Sequence, residues 1–489
     1  MALDILLSNS YFLNKDAAEQ RAMRPYPPLG LLYLSAYLKQ HGYGVEVFDN
    51  TFRPDELDFA RALQETAARI VGFHATVICR QMFSRLIRLA KELGRTVIAG
   101  GPDPSISPED YLAMGADYVV IGEGEYALEE LLDALTGRSL AGVETIAGLV
   151  FSRAEKLVRT PPRPLSKDVD RLPLPDREAI DLQTYARPWR ARHGVFAVHL
   201  MTSRGCPFGC KWCSRAPFGR TFRQRSPESV AQEMRHIKDI YQPDLLWIAD
   251  DILGVDKRWI AAWRTEVERL DAAIPFECLS RADLINEPLV RDFQALGCRR
   301  VYIGAESGSQ KVLDAMNKGI SVEDIHHAAG LLKQCGIERA FFMMFGYPGE
   351  EMADVEKSLQ MLQSLKPEYL GFSVAYPLRG TVFYEEVKDY ISVEQQWLES
   401  NENRPLHTNA YSARFYQQAI HLANKRLQLS RQRPTRPRWA IDAAKVAVLD
   451  VQHRWLSRRE HSTQVLPPYS VKTASTSTGL SVLTRPANR

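Results

Sequence analysis

The stretch HLMTSRGCPFGCKWCSRAPFG (His199–Gly219) decides how the rest of the chain is read. It spaces three cysteines as Cys206-x-x-x-Cys210-x-x-Cys213, and no fourth cysteine follows at ligand spacing. Three thiolates on one short loop hold three corners of a cubane iron–sulfur cluster and leave one iron open, where a substrate or cofactor binds and receives an electron. Gly205, Pro207 and Gly209 interleave the thiols and give the backbone the freedom to wrap a cluster. A structural zinc site requires four closed ligands, and no Cys or His pair stands within reach downstream. Disulfide pairing fits poorly with seven cysteines, an odd count that suits a reducing compartment. Three core cysteines that fall at this spacing by chance are the remaining alternative.

Outward from this loop the chain alternates strands and helices. VHLMTSRG, DLLWIADDILG, FECLSRADL, RRVYIGAESG, RAFFMMFGYPGE and YLGFSVAYPLRG read as six strands, with helical patterns such as PESVAQEMRHIKDIY and SVEDIHHAAGLLKQCG between them. Six βα units fall short of an eight-stranded barrel, so a partial barrel over 193–400 is expected. Its mouth lies at the carboxyl ends of the strands, and the cysteine loop follows the first strand. Asp250 and Asp251 end the second strand at the same mouth and are candidate catalytic groups, one to steer substrate or accept a proton, the other to cap the next helix.

The N-terminal region reads as a doubly wound parallel sheet over 1–140. Its strands are LDILLSNS, YGVEVFD, RIVGFHA, RTVIAGG and DYVVIGEGE, and its helices PPLGLLYLSAYLKQHG, QMFSRLIRLAKELG and EYALEELLDALTG. Such a sheet binds ligands beyond the carboxyl ends of its strands. The loops there are small or helix-starting: Tyr26 to Gly30, Gly72 to Thr76, Gly100-Gly101-Pro102-Asp103-Pro104-Ser105, and Gly122-Glu123-Gly124-Glu125. Backbone of that kind approaches a large ligand closely, and no GxGxxG follows the first strand to favour a dinucleotide. A proline-bearing stretch within 141–192 reads as a hairpin and linker.

A length of 489 residues predicts two domains plus an appendage, and 45% hydrophobic with 25% charged residues is the composition of a globular protein. A net charge of +3 gives no reason to expect nucleic acid. The start MALDILLSNS lacks a basic-then-apolar leader and no window approaches a membrane span, so a cytoplasmic protein is expected. From about Asn401 the pattern changes. Residues 411–460 carry 11 Lys and Arg against three acids, with Trp439 and Trp455 among them, and the segment 401–460 reads as a basic helical extension. Such a segment packs one face and solvates the other, or lies on an anionic membrane or clamps an acidic substrate. Residues 461–489 have the composition of a disordered tail.

The cysteine loop on a six-unit βα barrel, preceded by a doubly wound domain, resembles the cobalamin-dependent radical S-adenosylmethionine (SAM) enzymes, the group that includes the anaerobic magnesium-protoporphyrin monomethyl ester cyclase and radical SAM C-methyltransferases. The resemblance covers about residues 1–400. It implies a [4Fe-4S] cluster held by Cys206, Cys210 and Cys213, SAM on the open iron, and cobalamin on the N-terminal domain. It also implies reductive cleavage of SAM to a 5′-deoxyadenosyl radical that takes hydrogen from a small-molecule substrate, with electrons from a flavodoxin- or ferredoxin-type reductant. Glu306 and Ser307 in GAESGS look like the pair that meets the SAM amino group and ribose, and Arg281 in SRAD like a contact to its carboxylate or ribose. FGYPGE resembles the segment beside the adenine. The plain alternatives are a helix cap for Glu306 and a pairing of Arg281 with Asp283.

For the corrin the resemblance implies contacts from Tyr26, Pro28, His74, Thr76, Gly100, Gly101, Asp103, Gly122 and Glu123. The chain lacks the Asp-x-His-x-x-Gly that supplies an axial histidine in other cobalamin proteins, so the lower cobalt face is expected to be unligated or water-bound. His74 is the one candidate ligand, and a strand-end histidine bonding a loop carbonyl is its plain alternative. The family often has a histidine after GGP, where this chain has Asp103.

The function expected first is methyl transfer from methylcobalamin to carbon. Oxidative cyclisation or ring rearrangement uses the same cofactors and is the alternative. Methylthiolation of transfer RNA requires cluster cysteines in the N-terminal domain, which has only Cys79. A non-catalytic electron carrier has no use for an open iron or for Glu306. The basic extension points to an acidic or lipid-like substrate or to peripheral membrane contact.

Overall fold

The computed structural model describes residues 3–391, 406–407, 409–432, 434 and 437–460. The tail over 461–489 and the beginning of the extension lie outside the described residues.

Strands β1 (Ile5–Asn9), β2 (Val45–Phe48), β3 (Ile70–His74), β4 (Thr96–Gly100) and β5 (Tyr118–Val120) pair in parallel in the order β2-β1-β3-β4-β5. The chain runs outward from β1 to β2, then crosses back to β3, so the strand order reverses between β1 and β3. That reversal opens a crevice at the carboxyl edge. β1 is buried along its whole length, because helices cover both faces of a parallel sheet. Two cores result, one around Phe59, Phe73, Phe83 and Tyr111, the other around Leu31, Leu38, Leu128 and Leu131.

The expected linker hairpin is present as β6 (Leu149–Arg153) and β7 (Lys156–Arg159), but it extends the first sheet instead of standing apart. β6 pairs antiparallel with β5, and its buried half, Leu149 to Phe151, joins the sheet's core. The rest of the connector includes the helix Leu182–His193, whose Tyr185 and Trp189 pack into the barrel core.

The second sheet holds β8 (Ala197–Leu200), then β11 (Leu245–Ile248), β12 (Phe276–Ser280), β13 (Cys298–Glu306), β14 (Glu338–Phe345) and β15 (Tyr369–Val374). All pair in parallel in the order β15-β14-β13-β12-β11-β8, the six βα units expected. Between β8 and β11, the short strands β9 (Ser203–Arg204) and β10 (Arg223–Gln224) pair antiparallel and clamp the base of the cysteine loop. Outer helices start at side-chain caps: Ser226 accepts from Ser229 N, Asp256 from Arg258 N, and Ser321 forms a capping box with Asp324.

The extension is helical. Helix Ala413–Arg431 buries Phe415, Tyr416, Leu422 and Leu427 and packs on helix Met352–Leu365, and helix Pro437–Glu460 packs on helix Ala413–Arg431 in turn.

Candidate functional site

Cys210 is buried, and Cys206 and Cys213 are half-buried. Burial first, then the neighbouring Cys210 and Cys206, push the Cys213 thiol up to about 12, so the three thiols share one electrostatic neighbourhood. Among the described residues no three ligating side chains crowd around a single point. A cubane needs no such shared point, since each thiolate meets its own iron.

β13 delivers the next group. Its pairing with β14 shifts register between Gly304 and Glu306, and Glu306 takes a left-handed φ of 59°. The buried Glu306 carboxylate accepts from Lys318 Nζ at 2.9 Å. Gly304 makes room for both: a Cβ there would lie 2.5 Å from Glu306 Oε1 and 2.7 Å from Lys318 Nζ. Lys318 also stands 5.6 Å from the Trp212 ring centroid, inside the cysteine loop. Sequence reading passed over Lys318. Its only signal was a lysine shortly after GAESGS, and its burial becomes visible only in three dimensions. Ser307 is committed locally, with Oγ 3.2 Å from Ser358 Oγ and accepting from Ser309 N at 3.1 Å.

Arg281 makes the expected pairing and also reaches the cysteine loop. It pairs with Asp283 at 2.9 Å, while its guanidinium lies 3.8 Å over the Phe208 ring and points Nη1 at Cys210 Sγ, 3.8 Å away. Asp250 is fully employed. Its two oxygens accept from Thr202 N at 2.7 Å, Thr202 Oγ1 at 2.5 Å, Ser203 N at 3.1 Å and Ser203 Oγ at 2.8 Å. It fixes the strand end ahead of the cysteine loop and has no oxygen left over for substrate. Burial nonetheless raises its carboxyl to about 6 against those four bonds. Asp251 is exposed, accepts a backbone bond from Gly205, and raises the pKa of Cys206 and Cys213 through its charge. Of the two aspartates, it is the one that faces the mouth.

At the crevice of the first sheet lies a cavity of about 260 Å³. One wall is the strand ends and loops, with Gly72, His74, Gly100, Gly101, Gly122 and Glu123. The opposite wall is Met201, Arg204, Pro217 and Phe218, which bracket the cysteine loop. Gly101 sits at φ 110°, and a Cβ there would lie 2.8 Å from Ala75 O, so only glycine keeps the wall open. Two buried polar atoms of the lining, Tyr33 Oη and Arg204 Nε, have no hydrogen-bond partner among the described residues. A mostly apolar crevice with close backbone and unmet polar atoms fits a large ring ligand bearing amide arms, as a corrin does. Burial lowers His74 to about 4, so its imidazole is neutral, the form a metal ligand requires.

Tyr26, Pro28, Thr76 and Asp103, the other expected corrin contacts, are not among the residues that line this cavity. The Tyr26 ring packs 4.2 Å from that of His199 and 5.7 Å from that of Trp189, because the loop after β1 turns toward the barrel. Pro28 caps helix Leu29–Gln40, and Thr76 Oγ1 lies 3.3 Å from Cys79 Sγ. Asp103, where the family often has histidine, is buried against Arg80 at 2.5 Å and Tyr111 Oη at 2.6 Å.

An ionic bridge joins the two walls. Arg204 donates to Glu123 at 2.8 Å and Glu125 at 2.6 Å, and Arg223 donates to Glu123 at 2.8 Å. Burial works against the Glu123 charge, yet the Arg223 and Arg204 guanidiniums hold its carboxyl below the usual range. Arg204 and Arg223 are partners in the β9–β10 pair, so the clamp on the cysteine loop is also a contact to the first domain. Arg204 and Arg223 were not singled out from sequence, since a charge on a short strand says nothing of its partner, and Glu125 was named only as a member of its loop.

Residues 200–362 match the model of the radical SAM superfamily, and residues 22–132 match the B12 binding domain. An uncharacterized methyltransferase of Pyrococcus horikoshii is 31% identical over 372 residues, 73% of this chain and 78% of that protein. The anaerobic magnesium-protoporphyrin IX monomethyl ester cyclase of Rubrivivax gelatinosus is 26% identical over 381 residues, 75% of this chain and 67% of that one. Among solved structures, the radical SAM methyltransferase TsrM of Kitasatospora setae, with cobalamin and a [4Fe-4S] cluster bound, superposes with a TM-score of 0.69 at 18% identity. The match covers 93% of this chain and 100% of that one, and it shows a shared fold. The chain therefore belongs to the cobalamin-dependent radical SAM enzymes, with a [4Fe-4S] cluster, SAM and cobalamin as its cofactors.

Proposed function

We propose that the enzyme methylates carbon on a small-molecule substrate, drawing the methyl group from SAM by way of cobalamin. The observation that carries this reading is the cavity whose one wall is the glycine-lined edge of the B12 binding domain and whose other wall brackets the cysteine loop. When bound, the cluster supplies the electron that cleaves SAM, and cobalamin supplies a methyl carrier.

The chain's own residues do the rest. Cys206, Cys210 and Cys213 hold three irons. Glu306, already set against a cation at 2.9 Å, binds the SAM ammonium, and Arg281 beside Cys210 takes its carboxylate. Ser307 positions this turn through Ser358. Gly100, Gly101, Gly122 and His74 receive the corrin, and Glu123 holds the receiving wall to the cysteine loop. Asp251 faces substrate at the mouth, where it orients a polar group or takes a proton. The enzyme works in the cytoplasm with a flavodoxin- or ferredoxin-type reductant, and it meets membranes peripherally through its C-terminal extension.

A second reading, oxidative cyclisation without methylation, draws on the similarity to the magnesium-protoporphyrin IX monomethyl ester cyclase. Product analysis of the reduced holoenzyme during substrate turnover separates the two. Methylation yields S-adenosylhomocysteine together with 5′-deoxyadenosine, whereas deoxyadenosine alone with converted substrate overturns it.

A further inference from the structure

Helix Pro437–Glu460 is apolar on two faces, and only one of them is covered. Val446, Leu449, His453 and Leu456 turn toward the protein, with Val446, His453 and Leu456 buried. On the outward side Ile441 is 58% exposed, Val448 56%, Val451 68% and Trp455 52%. With Ala444 these residues fall within about 80° of arc at about 100° per residue. An exposed apolar stripe of this length on a helix that already has a buried face calls for a second partner.

The flanks of the stripe identify that partner. Lys445 and Arg459 border it on one side and Arg454 and Arg458 on the other, all exposed. No acid shares this face. Asp442 and Asp450 lie on the inward side, where Asp450 pairs with Arg426 and Asp442 accepts from Gln432. A groove between the two C-terminal helices opens beside the stripe, lined by Leu429, Ile441, Val448 and Leu449 with Lys425 and Lys445. No described helix is long and apolar enough to cross a membrane. A second copy of this chain would bring the same cations against themselves in a two-fold pairing. Apolar side chains bordered by cations alone match the acyl boundary and headgroups of an anionic bilayer.

We propose that the outward face of helix Pro437–Glu460 seats the enzyme on an anionic lipid surface, with Ile441, Val448, Val451 and Trp455 in the acyl boundary and Lys445, Arg454, Arg458 and Arg459 on the headgroups. This deepens the membrane contact given under the proposed function and is independent of the chemistry. The test is co-sedimentation of the anaerobically reconstituted full chain with phosphatidylcholine vesicles, with or without phosphatidylglycerol, at low and high salt, beside an assay of reductive SAM cleavage. The enzyme is expected to sediment with the anionic vesicles and to leave them as salt rises.

Val448→Glu with Val451→Glu is expected to abolish sedimentation. Arg454→Gln, Arg458→Gln and Arg459→Gln together are expected to weaken it by about a hundredfold. SAM cleavage is expected to be unchanged in both variants, which also shows that they fold. Equal binding to neutral vesicles or no binding to either overturns the proposal. So does a dimer in solution that the Val448→Glu, Val451→Glu variant splits while vesicles are ignored. A parent enzyme that ignores vesicles yet cleaves SAM removes only this surface, whereas a chain that binds vesicles and never cleaves SAM removes the catalytic reading.

Discussion

Replacing Arg204 by Met cuts the bridge between the two domains at its centre. The side chain is 5% exposed, and its partners Glu123 and Glu125 are 7% and 6% exposed, so neither acid has water to fall back on. Glu123 keeps Arg223 at 2.8 Å, but no other partner of the Glu125 carboxylate is found among the described residues. Stranding one buried charge costs about 3–5 kcal/mol, whereas removing both members of a buried pair costs far less. The Arg204→Met variant is therefore expected to lose about 3–5 kcal/mol. Adding Glu125→Met should restore all but about 1–2 kcal/mol, with a coupling of about 2–3 kcal/mol across the cycle. The assay is urea unfolding at pH 7 of the parent, both single variants and the double variant, followed by circular dichroism.

The pH dependence carries a sign. The folded state holds Glu123 below its ordinary value of 4.5, so its stabilisation is present above that value and lost as pH falls through the lowered one. The gap between parent and Arg204→Met should narrow in acid. An Arg204→Met variant within about 1 kcal/mol of the parent, or a double variant no more stable than the single one, would refute the reasoning.

Other residues give sharper local tests. Burial raises the Glu350 carboxyl to about 8 even though Gly346 N donates to it at 2.6 Å, and its Oε1 has no partner among the described residues. The folded state then binds more protons than the unfolded one, and stability falls by about 1.4 kcal/mol per pH unit between 4.5 and 8. Glu350→Gln should flatten that slope in apoprotein melts, and an unchanged slope rejects the assignment. Gly101→Val places a side chain against Ala75 O at a φ of 110°, so corrin uptake should fall at least tenfold while iron content holds; normal cobalamin titration would reject the cavity as its seat. Lys318→Met strands Glu306 and should destabilise the apoprotein by about 3–5 kcal/mol. Saturating SAM should recover more stability in this variant than in the parent, and equal thermal shifts would deny Glu306 the ammonium.

How far the sequence went is clearest at the strands. All eleven parallel strands it singled out are present, because buried parallel strands read as short apolar runs. The hairpin's place on the first sheet was not legible, since pairing of β6 with β5 depends on a partner the pattern does not name. Helix Glu56–Glu65 was passed over as well: it is short and buries only Phe59 and Leu63. At the site, the cysteine spacing and the glycine-bearing strand ends were legible because they are local. Lys318, Arg204 and Arg223 were not, because Arg204 and Arg223 owe their role to acids far away in sequence and Lys318 owes its role to a burial that only the fold reveals. The same limit applies to Tyr26 and Asp103: their loops were recognised, but the direction of a side chain is settled by what packs around it, here His199 for one and Arg80 for the other.

Two proposed cofactor sites share one cavity, and the most direct test counts what each site holds. Iron, sulfide and corrin are to be measured in the anaerobically reconstituted enzyme and in the Cys206→Ala, Cys210→Ala, Cys213→Ala variant. The expected result is about four irons and one corrin per chain in the parent, and a variant that loses the iron but keeps the corrin. A parent that takes up iron but no cobalamin, or a variant that keeps its iron, would contradict it.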